Sequence, residues 1–469
     1  MKIKNICCIG AGYVGGPTMT VIADKCPKLN IYVVDIDIEK INAWNNKDFS
    51  SLPVYEPGLA EIVKRKRNKN LFFTDDLKKS ISKADMIFIS VNTPTKTEGI
   101  GAGEASDLKY IEASARKVKE YSKGKTIVVE KSTLPVKTAE MIKNILSKDI
   151  NDEKKFSILS NPEFLSEGNA IEDLLNPDRV LIGGEDSHAI ELLADIYKNW
   201  VPEDKIVRTN LWSSELSKLA SNAFLAQRIS SINSLAAFCE VTGANIQDVS
   251  KVVGLDSRIG QSFLKSSPGF GGSCFKKDIL NLVYLCRSSG LNEVANYWEQ
   301  VIKVNEWQKN RIYSLVVKKL FNTLANKKIA ILGFSFKANT NDIRESPSID
   351  LTKNLLLEKA LISIHDPKVQ PSQIEKVLGR RFDNPQTINK DTNSNNGTLT
   401  YANNIDSCLL NADAAIIMTE WDEYKKIKWK FYEKKMNMPG WVFDTRYILK
   451  EEDFANSDLN FWQIGNVSK

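Results

Sequence analysis

Residues 269–278 read GFGGSCFKKD, with Cys274 behind three glycines and ahead of two lysines and an aspartate. Glycine frees the backbone, so that successive N–H groups can converge on an anion, and Lys276, Lys277 and Asp278 add charge nearby. A thiol in that setting can act as a nucleophile; the other reading is an inert thiol in a glycine turn, the usual behaviour of cysteine. Cys7, Cys8 and Cys239 lie on apolar runs and take the inert reading. In ELSKLASNAF, Lys218 and Asn222 are four residues apart and share a helix face. A cation beside an amide could hold a developing oxyanion, and the alternative is a surface pair between Lys218 and Glu215.

A second constellation is IGAGYVG, where Gly10, Gly12 and Gly15 follow the apolar run ICCI and open a helical stretch. Gly10 permits the tight turn, Gly12 lets the backbone approach a pyrophosphate, and Gly15 lets helix and strand pack closely. The phosphates then sit on the helix N-terminus. Asp35, 20 residues beyond Gly15, ends the next strand. Its carboxylate would accept from ribose hydroxyls and repel a 2′-phosphate, which favours NAD over NADP.

Three polar clusters follow later strands: Asn92-Thr93-Pro94-Thr95, Glu130-Lys131-Ser132-Thr133 and Asn161-Pro162-Glu163. In a parallel sheet, ligands lie beyond the carboxyl ends of the strands, so one edge would carry all three. Helix caps and turns use the same residue types and remain the other reading.

The elements that must position these groups are legible as rhythm. Short β-branched runs (NICCIG, NIYVVD, LFFT, MIFISV, TIVVEKS, FSILSN, RVLIGG) alternate with longer amphipathic stretches up to about residue 210, which predicts a parallel doubly wound α/β sheet. From Ser213 long helical periodicity takes over, and at Lys327 the strand rhythm returns with KKIAILGF, ALISIHDP, DAAIIMTEW and GWVFDTRYI. The second half repeats the order of features, Gly10 and Asp35 finding counterparts in Gly333 and Asp366, without a residue-level repeat. The Asn-rich stretch 383–404 reads as an exposed insertion.

Composition bounds the rest. A chain of 469 residues with 42% apolar content predicts two or three domains. Its 64 Lys+Arg against 58 Asp+Glu leave a net charge of only +6, and the run KRKRNK has no interleaved aromatics, so a solvated helix face is expected and no nucleic-acid partner. Seven cysteines without a CxxC suggest neither a disulfide framework nor a metal site, and no 18-residue apolar run predicts a membrane span; the cytosol is the expected compartment. Only His188 and His365 are available as imidazole bases.

Taken in order, GAGYVGGPT, VNTPTK, EKST, NPEFLSEG, ELSKLASNAFLAQRISSIN, GFGGSCFKKD, GFSFKANTNDIRES and HDP resemble the UDP-glucose 6-dehydrogenase family in its animal and plant form, over residues 3 to 450. The resemblance implies two Rossmann-like domains, residues 1–212 for NAD and 326–469 for the UDP-sugar, joined by a helical dimerisation domain, 213–325. It implies oxidation of the C6 alcohol of UDP-glucose to a carboxylate, with two NADH formed through a thiohemiacetal and a thioester on Cys274. By the same resemblance Lys218 and Asn222 stabilise the oxyanion, Asp278 and Thr133 handle water and protons, and Glu163 activates water. Neither histidine lies in a matching motif.

For the substrate, the family positions fall on Glu163, Phe164, Leu165, Lys218, Asn222, Lys265, Phe270, Gly271, Phe336, Lys337 and Arg446, assigned to a cleft between the halves. Arg258 matches the arginine that reaches a neighbouring subunit's substrate, which implies a homodimer and, by family habit, a hexamer as a trimer of dimers. For NAD they fall on Gly10, Gly12, Tyr13, Val14, Gly15, Asp35, Lys40, Val91, Asn92, Thr93, Ser132, Thr133, Glu167 and Arg344. Ala338 stands where many members carry a lysine, and DTR (444–446) replaces the commoner DGR. The rival readings are the same mechanism on UDP-N-acetylmannosamine or GDP-mannose, and a silent NAD- or UDP-sugar-binding regulator, against which Cys274, Lys218, Asn222, Glu163 and Asp278 together speak.

Overall fold

The apolar run NICCI forms β1 (Asn5–Ile9) at the inside of an eight-stranded sheet. Its companions are β2 (Asn30–Val34), β3 (Leu71–Thr74), β4 (Met86–Ile89), β5 (Lys125–Glu130), β6 (Lys155–Ser160), β7 (Val180–Gly184) and β8 (Ile206–Thr209). The order is β3-β2-β1-β4-β5-β6-β7-β8, so the winding reverses between β1 and β4. The structure, a computed structural model, describes residues 2–133, 135–148, 155–383 and 397–467. It divides into two units, residues 1–222 with 280–292 and residues 223–279 with 293–469.

In the first unit the period-two alternation of β1 sends Ile6 and Cys8 to one face and Cys7 and Ile9 to the other, and each face meets its own core. Helices α1 (Gly15–Lys25), α2 (Ile38–Asn45) and α3 (Leu59–Lys66) cover the first face; α4 (Leu77–Lys83), α5 (Lys109–Tyr121) and α6 (Thr138–Ser147) cover the second. The short α7 (Ala170–Leu175) and α8 (Ser187–Tyr197) complete the first. The run KRKRNK closes α3, where cations suit the carboxyl end of the helix dipole, and Arg65 and Lys66 both reach Asp24.

Two details depart from the sequence reading. The sheet is not parallel throughout, because β7 runs antiparallel to β6. The chain between them spends NPEFLSEG at the carboxyl end of β6 and holds only the six-residue α7, so no long helix returns it to the amino edge. The sequence reading also missed β8, whose IVRT buries one residue of four and carries little pattern.

Long helices follow: α9 (Leu211–Thr242), α10 (Ile246–Leu255), α11 (Phe275–Ser288) and α12 (Asn292–Lys319). In the second unit a six-stranded, wholly parallel sheet contains β9 (Lys328–Leu332), β10 (Leu361–His365), β11 (Thr398–Tyr401), β12 (Ala414–Ile417), β13 (Trp441–Asp444) and β14 (Asn460–Gln463), in the order β11-β10-β9-β12-β13-β14. The stretch 383–404 is therefore not an insertion in full: TLTY pairs with β10 as the edge strand, while 384–396 lies outside the described residues. The duplication of features is real in the hydrogen bonds. Gly10 N–H donates to Val34 O at 2.7 Å and Gly333 N–H to His365 O at 2.8 Å. Ala11 N–H donates to Asp35 and Phe334 N–H to Asp366, each tying the first glycine turn to the aspartate after the next strand.

Candidate active site

In the first unit the glycine fingerprint has the geometry its spacing demands. Gly10 has φ +109°, and a Cβ there would stand 2.2 Å from Ser90 O; one on Gly15 would stand 2.1 Å from Gly10 O. A Cβ on Gly12 would meet nothing within 4 Å, so the space beside that backbone is open to a ligand. No side chain caps α1, whose start at Val14 and Gly15 is left for an anion. Tyr13 packs against the core below.

Asp35 follows β2 and is held in place. Its Oδ2 accepts from Ala11 N–H at 2.9 Å and from Lys40 Nζ at 3.0 Å, and its Oδ1 from Asp37 N–H at 3.0 Å. Burial pushes this carboxyl up, but the two amides and Lys40 outweigh burial and hold it below its usual range. It is thus an anionic acceptor, and Lys40 is placed as its partner. These residues fit a dinucleotide: an open glycine backbone for the pyrophosphate, a helix N-terminus, and a fixed carboxylate for the ribose.

The carboxyl ends of β4, β5 and β6 converge as the polar clusters suggest. Ser132 Oγ donates to Val91 O at 2.7 Å, and Thr93 Oγ1 to Thr133 O at 3.1 Å, with Asn92 exposed between Val91 and Thr93. Thr133 Oγ1 donates to Glu163 Oε1 at 3.2 Å. Lys218 Nζ stands 3.8 Å from the same oxygen and 3.5 Å from Asn222 Oδ1, the outer limit of a hydrogen bond. Thr133, Glu163, Lys218 and Asn222 are all buried. Phe164 stacks under the Arg179 guanidinium at 3.7 Å and lies 5.4 Å from the Lys218 ammonium; Leu165 packs against the core, and Glu167 is half-buried.

The surface pair between Lys218 and Glu215 does not form. Glu215 is buried and accepts from the N–H groups of Lys137 and Ala139, so it caps α6, and Lys218 is left to Glu163. Three further side chains join this cluster: Lys131 and Asn161, which the polar stretches after β5 and β6 placed at this edge without an individual role, and Tyr197, which the sequence did not single out. Lys131 Nζ and Tyr197 OH donate to Asn161 Oδ1 at 3.3 and 2.7 Å, and Asn161 Nδ2 donates to Leu181 O at 2.8 Å. The signal was available for two of them, since Lys131 and Asn161 immediately follow strands that end at this edge.

In the second unit Cys274 stands just before α11, and Asp278 N–H donates to its carbonyl at 2.9 Å. The thiol is half-buried, 3.4 Å from Ser273 Oγ, and a helix N-terminus favours its thiolate. Cys7 and Cys8 are buried, and burial pushes both thiols up, Cys7 to about 12, as suits packing residues. Asp278 is buried with Lys277 Nζ 3.3 Å away. The glycines before Cys274 let the loop lie against its neighbours. Gly272 N–H donates to Arg344 O at 2.8 Å, and a Cβ on Gly271 would stand 2.6 Å from Glu345 O and 2.9 Å from Phe336 Cβ. Phe270, buried, exchanges two backbone hydrogen bonds with the Asn305 amide.

Cations gather around Glu420 in this unit. Arg446 Nε lies 3.3 Å from Glu420 and donates to Met418 O at 2.7 Å, while its Nη2 donates to Phe336 O at 2.8 Å. Burial lowers Lys265, an effect that Glu420 opposes and Arg446 reinforces. Lys337 lies over the Phe336 ring. Ala338 leaves its N–H to Glu420, and Thr445 is buried with its hydroxyl donating to Ile417 O at 2.6 Å. Two predicted residues commit their guanidinium groups locally: Arg258 is exposed and pairs with Asp256, and Arg344 pairs with Asp342, both at 2.6 Å.

Among the described residues no helix is long and apolar enough to cross a membrane, and no group of three or more His, Cys, Asp or Glu could hold a metal ion. Three family descriptions match in chain order: the UDP-glucose/GDP-mannose dehydrogenase family NAD binding domain over residues 4–201, its central domain over 212–307 and its UDP binding domain over 330–451. UDP-glucose 6-dehydrogenase 3 of Arabidopsis thaliana is 53% identical over 98% of this chain and 97% of its own length, and UDP-glucose 6-dehydrogenase 1 of Glycine max is 53% identical with the same coverage. A solved UDP-glucose dehydrogenase from Pyrobaculum islandicum superposes with a TM-score of 0.83 at 29% identity, covering 99% of this chain and 98% of that one. With the glycine fingerprint, the buried carboxylate cluster and the cysteine loop in place, the chain belongs to the UDP-glucose/GDP-mannose dehydrogenase family.

Proposed function

We propose that the protein oxidises the C6 alcohol of UDP-glucose to a carboxylate, so that one UDP-glucose, two NAD+ and one water give UDP-glucuronate, two NADH and three protons. NAD supplies the hydride acceptor. Cys274 adds its sulfur to the C6 aldehyde left by the first hydride loss; the second hydride then leaves the thiohemiacetal, and C6 becomes a thioester. Lys218 and Asn222 hold the C6 oxygen while it carries charge. Water attacks the thioester carbonyl, Glu163 takes its proton, the carbon–sulfur bond breaks, and the thiolate returns. Thr133 orients Glu163, and Asp278 serves proton transfer beside the cysteine.

The observation that carries this reading is the buried Glu163 carboxylate, fixed by the Thr133 hydroxyl at 3.2 Å and charged against Lys218 at 3.8 Å. Histidine offers no substitute. His365 is buried with its Nδ1 against Tyr424 OH at 3.0 Å, and burial lowers its affinity for a proton. Lys265, Phe270, Gly271, Phe336, Lys337 and Arg446 take the nucleotide, their cations meeting the diphosphate. Gly10, Gly12, Gly15, Asp35 and Lys40 take NAD, with Val91, Asn92, Thr93, Ser132, Glu167 and Arg344.

On this reading residues 1–212 bind NAD, 213–325 pair two copies, and 326–469 bind UDP. Exposed apolar side chains on the central helices, Phe238, Val241, Val252 and Leu255, support pairing, with Arg258 serving the neighbouring copy and a hexamer built from such dimers. Seven cysteines, none of them in a disulfide among the described residues, support a reducing compartment, the cytosol. The test is the NADH formed per UDP-glucose consumed at completion. Two per sugar, with Cys274→Ala inactive or halted at the aldehyde, is the expected result; one per sugar, unchanged in the variant, overturns it.

A further inference from the structure

Glu163 has two lysines near it, and the proposed chemistry uses one. Lys218 shares a face with Asn222 and gives its charge to the substrate oxygen when the reaction proceeds. Lys131 belongs to the same cluster, with Nζ bound to Asn161 Oδ1 at 3.3 Å, and it is 3% exposed. A buried ammonium without function is costly, and a lysine with only packing to do is replaceable by methionine.

The pocket around Lys131 draws on several elements, and Asp173, Asp178 and Arg179 also line it. Asn161 follows β6, Glu163 follows two residues later, Tyr197 comes from α8, Lys218 from α9 and Cys8 from β1. Burial pushes the Lys131 ammonium down to about 8; Glu163 opposes that shift, Lys218 adds to it, and Cys8 opposes it weakly. Lys131, Asn161, Glu163 and Tyr197 line one pocket of about 110 Å³. Glu163 is 7% exposed, and its Oε2 has no hydrogen-bond partner among the described residues.

We propose that Lys131 is a positioning residue for thioester hydrolysis: it fixes the Asn161-Pro162-Glu163 turn and keeps a positive charge beside the buried Glu163 carboxylate while Lys218 is engaged with the substrate. The turn is fixed because the Asn161 amide makes three hydrogen bonds, Lys131 and Tyr197 donating to Oδ1 and Nδ2 donating to Leu181 O. The charge matters because a buried carboxylate whose cationic neighbour is neutralised takes up a proton, and a protonated Glu163 cannot accept one from water. Lys131 is bound to Asn161 and not to the substrate, so below about pH 8 its charge stays beside Glu163 through the reaction. The proposal rests on Glu163 being the base of the hydrolytic step.

The experiment mixes the full-length enzyme with saturating UDP-glucose and NAD, follows NADH, and measures by intact mass the fraction of Cys274 held as acyl-enzyme, from pH 5.5 to 9. Lys131→Met and Lys131→Gln are expected to form NADH in the first turnover within about twofold of native, then to accumulate acyl-enzyme and hydrolyse it roughly tenfold more slowly. The acid limb of the hydrolysis rate should move to higher pH in both variants and stay in place in Lys131→Arg, which a merely structural role would not produce. Glu163→Gln is the reference. If it accumulates acyl-enzyme and the Lys131 variants do not, or if their acid limb is unmoved, the proposal is overturned and the reading of Glu163 stands. If Glu163→Gln hydrolyses at the native rate, that reading falls and takes the proposal with it.

Discussion

Lys218 Nζ stands 3.8 Å from Glu163 Oε1, with both side chains buried in the first unit. Neither charge can be removed alone without leaving the other desolvated. Lys218→Met should therefore cost roughly 3 kcal/mol of stability at neutral pH, the low end for a broken buried pair because Lys131 still faces the carboxylate. The double variant Lys218→Met/Glu163→Gln should recover part of that loss. Urea unfolding of the two singles and the double closes the cycle, and strictly additive losses would show that the two charges do not interact.

The glycines of the fingerprint should separate into two kinds. Gly10→Ala puts a Cβ 2.2 Å from Ser90 O at φ +109°, where no side chain is at ease, so the first unit should lose several kcal/mol or fail to fold. Gly12→Ala puts a Cβ where nothing lies within 4 Å. It should keep the native Tm and lose NAD affinity by about tenfold or more, because the added methyl stands where the backbone meets the pyrophosphate. Thermal unfolding with and without NAD distinguishes the two: an unchanged NAD-dependent Tm shift in Gly12→Ala would mean that NAD does not approach that backbone.

Thr445 occupies the centre of DTR, where the family more often has glycine, and its hydroxyl donates to Ile417 O at 2.6 Å in a buried position. Thr445→Gly should cost about 1–3 kcal/mol, from the lost hydrogen bond, the lost packing and the freer unfolded chain. KM for UDP-glucose should move little, because the hydroxyl is spent on the backbone. A Tm equal to native with a raised KM would instead place Thr445 on the ligand.

Much of this site was legible because its residue types are constrained by backbone geometry. Gly10 and Gly15 announce a turn that no side chain could enter, and Asp35 announces the end of a strand; both are local requirements that one sequence displays. The Lys218 position was ambiguous for a matching reason: spacing along a helix offers Glu215 and Asn222 equally, and only the tertiary fold assigns Glu215 to the amide groups of Lys137 and Ala139. Lys131, Asn161 and Tyr197 come from three separate elements and meet only when the sheet forms. The antiparallel β7 was likewise hidden, since RVLIGG has the same apolar pattern in either direction. In 383–404, the asparagines drew attention from TLTY, a short edge strand with one buried residue.

Burial of Lys131 also fixes the sign of a pH effect on stability. Its ammonium is pushed down to about 8 from an ordinary 10.5, so between those values the unfolded chain holds a proton that the folded chain has released. Stability from this group therefore rises with pH: it is absent below about 8 and complete above 10.5. The gap is worth on the order of 3 kcal/mol. Lys131→Met removes the titrating group and keeps the stem. Measured by urea unfolding, native minus variant stability should become more favourable to native between pH 7.5 and 10.5, while at neutral pH the variant should equal or exceed native. That ordering is what a functional charge held at a cost to the fold predicts, because the protein keeps at working pH an ammonium that methionine would replace with gain. A native-minus-variant difference that is flat across the range would mean that the folded protein leaves Lys131 as free to hold its proton as the unfolded chain does.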